Sequence, residues 1–401
     1  MMQQEPVSRM PRTVLFSAFC VGFAMSAPIY CIPPMEHILT EQLFLTHTQT
    51  SLLFSVPILM LVATAIPAGI VADRIGAKKA TGIGLVVMAI GAIMRGTASN
   101  YISLLAFTFI YGLGFGWIFP NLPKVVSTFE RRDKANVSMG IVNSGFPVGT
   151  ALGLAITVPI ILPIAKTFQG VFLIWSIPTI VAASLWWIIV KEPPRITNNV
   201  ETSKRGVNAF RKVISNKQLW LVTSIMFLHQ YYSKVWTGWT PVLMMMKGVP
   251  PSSAGLIAST SIWVMIPTVL LVPRLSYKLG VMKPFLWLPS IVLAFAAWGA
   301  TWVSVSMSWY LMALAGVFLA TRYATLLALP IYIMDEKEVG TATGIFLSVG
   351  YIGGVIGPLI GGSILDTTQS LDLSLVTIAV TSLATAFLAW RMTEASLMSR
   401  T

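Results

Sequence analysis

Long apolar stretches follow one another along most of the sequence. Each holds roughly 20 residues, the length that an α-helix needs to cross the hydrocarbon core of a bilayer. A water-soluble chain of this size would need many charges on its surface. Only 10% of the 401 residues are charged, against roughly 25% in a typical soluble domain. The pattern therefore predicts an all-α membrane protein.

Twelve spans can be delimited, and each is long enough to cross at 1.5 Å of rise per residue. They are predicted at residues 13–33, 49–72, 80–99, 101–124, 136–163, 170–190, 218–246, 253–273, 284–304, 309–333, 339–364 and 371–391. The polar stretch between the sixth and seventh spans contains prolines, asparagines and basic residues, which is typical of a linker. The predicted domains are a six-helix bundle at 1–190, a cytoplasmic linker at 191–217 and a second bundle at 218–401.

The net charge of +13 lies mainly in the segments between spans. With both termini placed in the cytoplasm, the basic residues collect on the cytoplasmic side, and the exceptions placed outside are Arg95, Lys166 and Lys247. This asymmetry follows the positive-inside rule. We therefore expect a multi-pass protein of a plasma or inner membrane with both termini cytoplasmic. The positive charge needs no nucleic-acid partner to explain it.

The two halves of the sequence resemble each other at one constant offset of 204 residues. The aligned pairs include Gly76 with Gly280, Gly112 with Gly316, Gly140 with Gly344 and Ser144 with Ser348. A parallel repeat of six helices predicts two bundles related by a pseudo-twofold axis along the membrane normal. Such an arrangement predicts a binding site near the middle of the bilayer, between the halves.

A charged motif lies between the second and third predicted spans. Its residues are Gly69, Asp73, Arg74, Gly76, Lys78 and Lys79. The pattern resembles the cytoplasmic signature of the major facilitator superfamily, and with the helix number, the linker and the repeat the resemblance covers the whole chain. It implies the fold of that superfamily and solute transport by alternating access.

The resemblance assigns these six motif residues to a cytoplasmic gate. Asp73 would form a charged latch with the surrounding cations, Gly69 would permit a close helix contact and Gly76 a tight turn. The alternative is that Asp73 and its neighbours only cap helices and fix the topology.

Two other features of the superfamily are absent or displaced. Thr108 stands where many proton-linked members carry an arginine. The glycine-rich string of the fifth helix of many exchangers occurs here in the eleventh, at residues 353–362. We interpret these glycines as helix-packing residues.

Three cations lie inside predicted spans. Arg322 is near the middle of the tenth span, and Lys234 and His229 are well inside the seventh. Every acid falls in a predicted loop or near a span end. Ionisable residues at this depth are costly and usually functional, and a buried cation needs a partner. We interpret the missing negative charge as that of the substrate. The alternatives are an arginine bonded to backbone carbonyls, a lysine that reaches the interface and a hydrogen-bonded histidine.

The predicted substrate site combines these charges with aromatic and polar side chains. In the superfamily that the motif resembles, the first, fourth, seventh and tenth helices line the cavity. The predicted substrate-binding residues are Arg322, Lys234, His229, Tyr30, Asn121, Tyr232, Trp236 and Tyr323. Such a cavity would suit a small organic anion with its carboxylate toward Arg322. For each aromatic residue, packing or a place in the interfacial belt is the alternative.

These observations predict a secondary active or facilitative transporter rather than an enzyme. The expected partners are a small anionic molecule and the lipid bilayer, and a monomer is expected. No cofactor, metal or disulfide is expected. His229 is the candidate for proton coupling, although exchange or facilitated diffusion would need no proton carrier. The alternatives are an efflux carrier for drugs or sugars, a non-transporting sensor and a membrane-embedded enzyme.

Overall fold

The computed structural model describes residues 11–129, 132–191, 212–334 and 338–392, and these residues form helices and no strand. The helices are α1 (Arg12–Tyr30), α2 (Glu36–Leu43), α3 (His47–Ile75), α4 (Ala77–Arg95), α5 (Tyr101–Ile118), α6 (Leu122–Phe129), α7 (Arg132–Ile156), α8 (Leu162–Ala165), α9 (Phe168–Ile189), α10 (Lys217–Met246), α11 (Pro251–Leu279), α12 (Pro284–Trp302), α13 (Val305–Ile333), α14 (Val339–Thr368) and α15 (Asp372–Arg391). A 3-10 turn at Pro33–Met35 precedes α2, and a π-helical turn at Thr157–Ile161 precedes α8.

Within the described residues, 11 helical segments are long and apolar enough to cross a membrane. Many of their large apolar side chains are exposed, among them Ile188, Leu271 and Phe295. Exposed apolar surface on this scale indicates contact with lipid. The predicted all-α membrane fold is confirmed. Several helices, notably α3 and α11, extend beyond the predicted spans, because their polar end turns continue the helix past the apolar stretch.

Helix α10 is long enough to span a bilayer but is not apolar enough to count among these 11 segments. Its 30 residues reach about 45 Å at the rise of an α-helix. The polar residues include His229, Gln230 and Lys234, and all three are buried. Neighbouring helices therefore shield the polar groups of α10 from lipid, as the cost of a bare ionisable group in hydrocarbon requires.

The sequence repeat is visible in the local structure of each half. Gly76 and Gly280, aligned by the repeat, both have positive φ angles, of 96° and 66°, which glycine adopts without steric cost. Asn100 and Ser304, also aligned, each accept a hydrogen bond from the third backbone N–H of the following helix. The same turn and the same helix start therefore recur in both halves.

Glycines bring two pairs of helices into close contact. A Cβ atom built on Gly149 of α7 would lie 2.6 Å from the carbonyl oxygen of Phe23 in α1. The aligned Gly353 of α14 meets the carbonyl oxygen of Phe227 in α10 in the same way. The glycine-rich string at residues 353–362 therefore packs α14 against α10, as the sequence indicates.

The chain divides into two compact units. The first consists of Met1–Ile32 and Leu59–Ile196, and the second of Pro33–Ile58 and Thr197–Thr401. Helix α3 thus begins in the second unit and ends in the first. The domain boundaries at 190, 191–217 and 218 stay a prediction.

We expect Gly353→Ala to destabilise the protein, because its Cβ would collide with the Phe227 carbonyl. Gly344→Ala on the same helix is the matched control, since nothing lies within 4 Å of a Cβ there and both changes raise helix propensity equally. Thermal unfolding in detergent should show a lower melting temperature than wild type for Gly353→Ala but not for Gly344→Ala. Equal melting temperatures for the two variants would contradict the packing role.

Candidate substrate site and gate

Arg322 lies inside the second unit with its side chain fully buried. Its Nε donates a hydrogen bond to Nδ1 of His229 at 2.9 Å. Its Nη1 donates to Oγ of Ser290 at 3.3 Å and to Oγ of Ser382 at 3.0 Å. The guanidinium therefore connects α13 with α10, α12 and α15. We call Arg322, His229, Ser290, Ser382 and Tyr232 the arginine cluster.

Aromatic rings cover one side of this cluster. The guanidinium lies 5.3 Å from the ring centre of Tyr232, whose hydroxyl donates to the carbonyl of Leu293 at 2.8 Å. Tyr232 in turn stacks on Trp236 with centroids 5.8 Å apart. The ring of Tyr232 thus contacts the Arg322 cation, and its hydroxyl is hydrogen-bonded to α12.

The charge of Arg322 has no carboxylate partner among the described residues. Its hydrogen-bond acceptors are an imidazole and two hydroxyls, which are neutral. Its Nη2 is buried and has no hydrogen-bond partner in the described part of the chain. Burying a cation without a negatively charged partner costs free energy. The arginine cluster therefore carries an uncompensated positive charge within the second unit.

The contact with Arg322 fixes the protonation state of His229. Because Nδ1 accepts a hydrogen bond from a guanidinium, the neutral ring carries its proton on Nε2. A second proton would place an imidazolium directly against the Arg322 cation, which both charges oppose. The geometry therefore favours a neutral donor at His229 over the proton carrier that the sequence suggested.

Tyr323 and Lys234 lie beside the cluster rather than within it. Tyr323 stacks on His229 with centroids 5.4 Å apart, and its hydroxyl is 3.1 Å from that of Tyr351. Lys234 lies where α10 meets α14, and a Cβ on Gly354 would be 3.1 Å from its Cγ. Tyr351 was not predicted from the sequence, where its only signal is an aromatic residue inside the glycine-rich helix.

The two predicted site residues of the first unit are also buried. Tyr30 packs edge-on against Phe146 with centroids 6.3 Å apart. Asn121 donates from Nδ2 to the carbonyls of Ala68 at 3.3 Å and Trp117 at 2.8 Å. Asn121 therefore ties α3 to the end of α5. That all eight predicted residues surround one cavity stays a prediction.

The motif residues lie at the turn from α3 to α4, and the partner of Asp73 differs from the expected one. Its Oδ1 accepts from Nζ of Lys124 at 2.7 Å, and the same Nζ donates to the carbonyl of Gly69 at 3.2 Å. The motif predicts the cations around Asp73 within the motif as its partners, whereas the observed partner is Lys124. Lys124 lies in α6, far from Asp73 in the sequence. The ion pair is therefore apparent only once the packing of α3 is known.

The other motif residues have separate roles. Gly76 forms the positive-φ turn that was predicted. A Cβ on Gly69 would meet Lys124 Nζ at 3.8 Å, an ordinary distance, so the close helix contact expected of Gly69 is not seen within the described part of its unit. Nζ of Lys78 lies 5.6 Å from the ring centre of Trp187. Arg74 and Lys79 are exposed.

Arg95 is a second fully buried arginine, whereas the sequence predicts it as a charge outside the membrane. Its Nη1 donates to the carbonyl of Pro28 at 2.8 Å, in the last turn of α1. Its guanidinium lies 4.1 Å from the ring centre of Phe172 and 5.4 Å from that of Tyr111. Carbonyls at a helix C-terminus favour a cation, so the end of α1 holds Arg95.

The helices of spanning length define a multi-pass membrane protein. It has a polar helix shielded by its neighbours and a charged turn between α3 and α4. The sequence profile of the Major Facilitator Superfamily matches residues 14–358 and 248–400. The chain belongs to this superfamily, and the resemblance seen in the motif is confirmed.

Relatives and solved structures agree with this assignment. The hexuronate transporter of Bacillus subtilis is 25% identical over 363 residues, which cover 82% of each chain. The probable sulfoacetate transporter SauU of Cupriavidus necator is 23% identical over 393 residues, which cover 88% of this chain and 85% of that protein. The inward-facing, unoccupied structure of a bacterial homolog of the human lysosomal transporter Spinster has a TM-score of 0.80 over 98% of each chain at 16% identity. The last comparison shows the fold alone.

We expect Asn121→Ala to destabilise the protein more than Asp73→Asn. Asn121 is buried and donates to two carbonyls, and loss of such a partner costs about 1–3 kcal/mol. The side chains of Asp73 and Lys124 are 71% and 40% exposed, and an exposed ion pair contributes about 0–1 kcal/mol. Melting temperatures of the purified variants would check this order. A larger loss for Asp73→Asn would show that its ion pair is more than a surface contact.

Proposed function

We propose that this transporter carries small organic anions, and that the uncompensated positive charge of the arginine cluster attracts them. The observation that supports the proposal is the buried Arg322, which bonds to neutral groups only. A negatively charged substrate is the partner that would lower the cost of this charge. A carrier of lipophilic cations would instead need an acid near the cluster, and the described residues place none within ion-pair distance of Arg322.

The relatives support the same class of substrate. The printed names of two of them specify a hexuronate and sulfoacetate. Both compounds are small, polar and negatively charged at neutral pH. Their common chemistry is an acidic group that accepts several hydrogen bonds, and it matches a site rich in N–H and O–H donors.

We assign Arg322 the role of a fixed charge. Its Nε and Nη1 already donate to His229, Ser290 and Ser382. Its Nη2 and the Nε2–H of His229 are therefore the groups that would contact the anion. Lys234 and Tyr323 would add a charge and a hydroxyl. Tyr232 and Trp236 support the cluster by stacking, and Tyr30 and Asn121 stay predicted substrate contacts.

Transport would proceed by alternating access, with the motif residues as a gate. Asp73 and Lys124 join the end of α3 to the segment after α5. Because this pair is exposed, breaking it would cost little, as a reversible gate requires. With the orientation that the basic residues indicate, the gate would face the cytoplasm of a plasma or inner membrane and both termini would be cytoplasmic.

We expect glucuronate and sulfoacetate to stabilise the purified protein. A ligand at 100 times its dissociation constant should add about 2.7 kcal/mol to the free energy of unfolding, measurable as a rise in melting temperature. Arg322→Met should remove this rise, while the unliganded variant should keep most of its stability because a buried charge disappears with the hydrogen bonds. Arg95→Met is the matched control, since it removes the other buried arginine and should leave the ligand effect intact.

Stabilisation by lipophilic cations or neutral sugars alone would overturn the anion assignment. If Arg322→Met does not fold, Lys234→Met would serve as the second variant, and loss of the ligand effect is again expected.

We expect Asp73→Asn to slow turnover more than it weakens binding. The change removes the ion pair that joins α3 to Lys124, so the cost falls on the conformational step. The measurements are uptake of radiolabelled glucuronate in proteoliposomes and binding in detergent, with the exposed Glu41→Gln as the control. A variant that binds more weakly and keeps its turnover would contradict a gating role.

A further inference from the structure

Exposed aromatic residues are concentrated in the second unit where α12 ends and α13 begins. Trp298 and Trp302 lie one helical turn apart in α12 and are 58% and 78% exposed. Trp309 and Tyr310, near the start of α13, are exposed as well. Tryptophan and tyrosine are enriched where a spanning helix leaves the hydrocarbon core. This end of α12 therefore lies at a membrane interface.

A groove lies on this face of α12. Its walls are formed by Trp298, Gly299, Trp302 and Val303, and its volume is about 510 Å³. Small-molecule sites in proteins have volumes of roughly 300–1,000 Å³. The walls are almost entirely apolar, so the part of a ligand that fits against them is hydrocarbon.

Gly299 lies between the two tryptophans and does not serve helix packing. A Cβ atom built on it would meet no atom of the described residues within 4 Å, whereas a Cβ on Gly353 would collide with the neighbouring helix. A glycine inside a helix lowers stability relative to alanine. No contact within the described part of the second unit offsets this loss, and the missing side chain leaves the space between the two indole rings open.

A cation lies at the Val303 end of the groove. Nζ of Lys247, just after α10, donates to the carbonyl oxygen of Val303 at 2.6 Å. An ammonium group has three N–H donors, so this bond leaves two for a ligand. In the described part of the chain no carboxylate lies within ion-pair distance of Lys247, and Asp372 of α15 acts on its charge from farther away.

Two exposed hydroxyls follow in the same turn. Ser304 and Ser306 come directly after the groove in the chain, and their Oγ atoms are 3.1 Å apart. Hydroxyls of this kind can donate to a phosphate oxygen. The groove therefore has apolar walls along α12 and polar, positively charged groups where α12 reaches the interface.

We propose that this groove binds one anionic phospholipid, with an acyl chain between Trp298 and Trp302 and the headgroup phosphate at Lys247. The phosphate of such a lipid lies at the interface and its chains extend into hydrocarbon, which is the order of the polar and apolar groups in the groove. A zwitterionic lipid carries a cation of its own, which offsets the attraction to Lys247. With the orientation proposed above, the lipid belongs to the outer leaflet. The site is separate from the arginine cluster.

The first test measures lipid preference. The full-length protein is placed in mixed micelles with equal amounts of phosphatidylglycerol and phosphatidylcholine that have identical acyl chains, and native mass spectrometry counts the lipids that stay bound. We expect wild type to retain one phosphatidylglycerol with a preference of about fivefold, the effect of one lysine at a lipid surface. Lys247→Gln should lose this preference, although its amide can still donate to Val303. Lys166→Gln is the matched control and should keep the preference, since Lys166 is also exposed at a helix end but does not line the groove.

The second test fills the groove. Gly299→Leu should fold, because its side chain enters open space, and the leucine would occupy the place of the acyl chain. We expect this variant to lose the retained phosphatidylglycerol and the rise in melting temperature that this lipid gives wild type. Gly344→Leu is the matched control, since Gly344 is another position with nothing within 4 Å of its Cβ, and it should keep both.

Equal retention of the two lipids by wild type would indicate an ordinary aromatic belt and would overturn the proposal. Equal retention of phosphatidylglycerol by Gly299→Leu and Gly344→Leu would do the same. A wild-type dimer that Gly299→Leu abolishes would place a second copy of the chain on this face and would also overturn the lipid assignment. None of these measurements uses a transported substrate, so their outcome is independent of the proposed function.

Discussion

The close contact between α10 and α14 is the interaction on which most of the second unit depends. Glycines along α14 remove the side chains that would hold the helices apart, and α10 fills the space with large ones. Lys234 lies against Gly354 and Trp239 against Gly361, while the carbonyl of His47 lies at Gly362. One stripe of glycines therefore positions both Lys234, beside the arginine cluster, and the start of α3.

The two buried arginines, Arg95 and Arg322, differ in the groups that accept their hydrogen bonds. Arg95 donates to the carbonyl of Pro28 at the end of α1, where the aligned peptide dipoles supply partial negative charge. Arg322 donates to His229 and two serines, which supply hydrogen bonds but no countercharge. Burial alone therefore does not distinguish a structural arginine from one that can bind an anion. The two kinds are distinguished by the groups that accept their hydrogen bonds.

The sequence predicted what depends on length and local geometry. The spanning helices follow from apolar stretches of fixed length, and the turn at Gly76 follows from a residue that tolerates positive φ. Side-chain pairing could not be predicted in the same way, because it depends on the rotation of packed helices. Lys124 as the partner of Asp73, Tyr351 beside Tyr323 and the burial of Arg95 all required the packing. The bond from Arg322 to His229 also changes the chemistry expected of that histidine.

The polarity of α10 has a consequence for the synthesis of the protein. A segment with so many polar groups would partition poorly from the translocation channel into lipid by itself, because each ionisable group at mid-bilayer costs about 2.5–3.5 kcal/mol on insertion scales. The helix that shields it most closely, α14, leaves the ribosome roughly one hundred residues later. We therefore expect α10 to stay in or beside the translocation channel until α14 has been synthesised. In a chain that ends before α14, the polar groups of α10 would not be shielded from lipid.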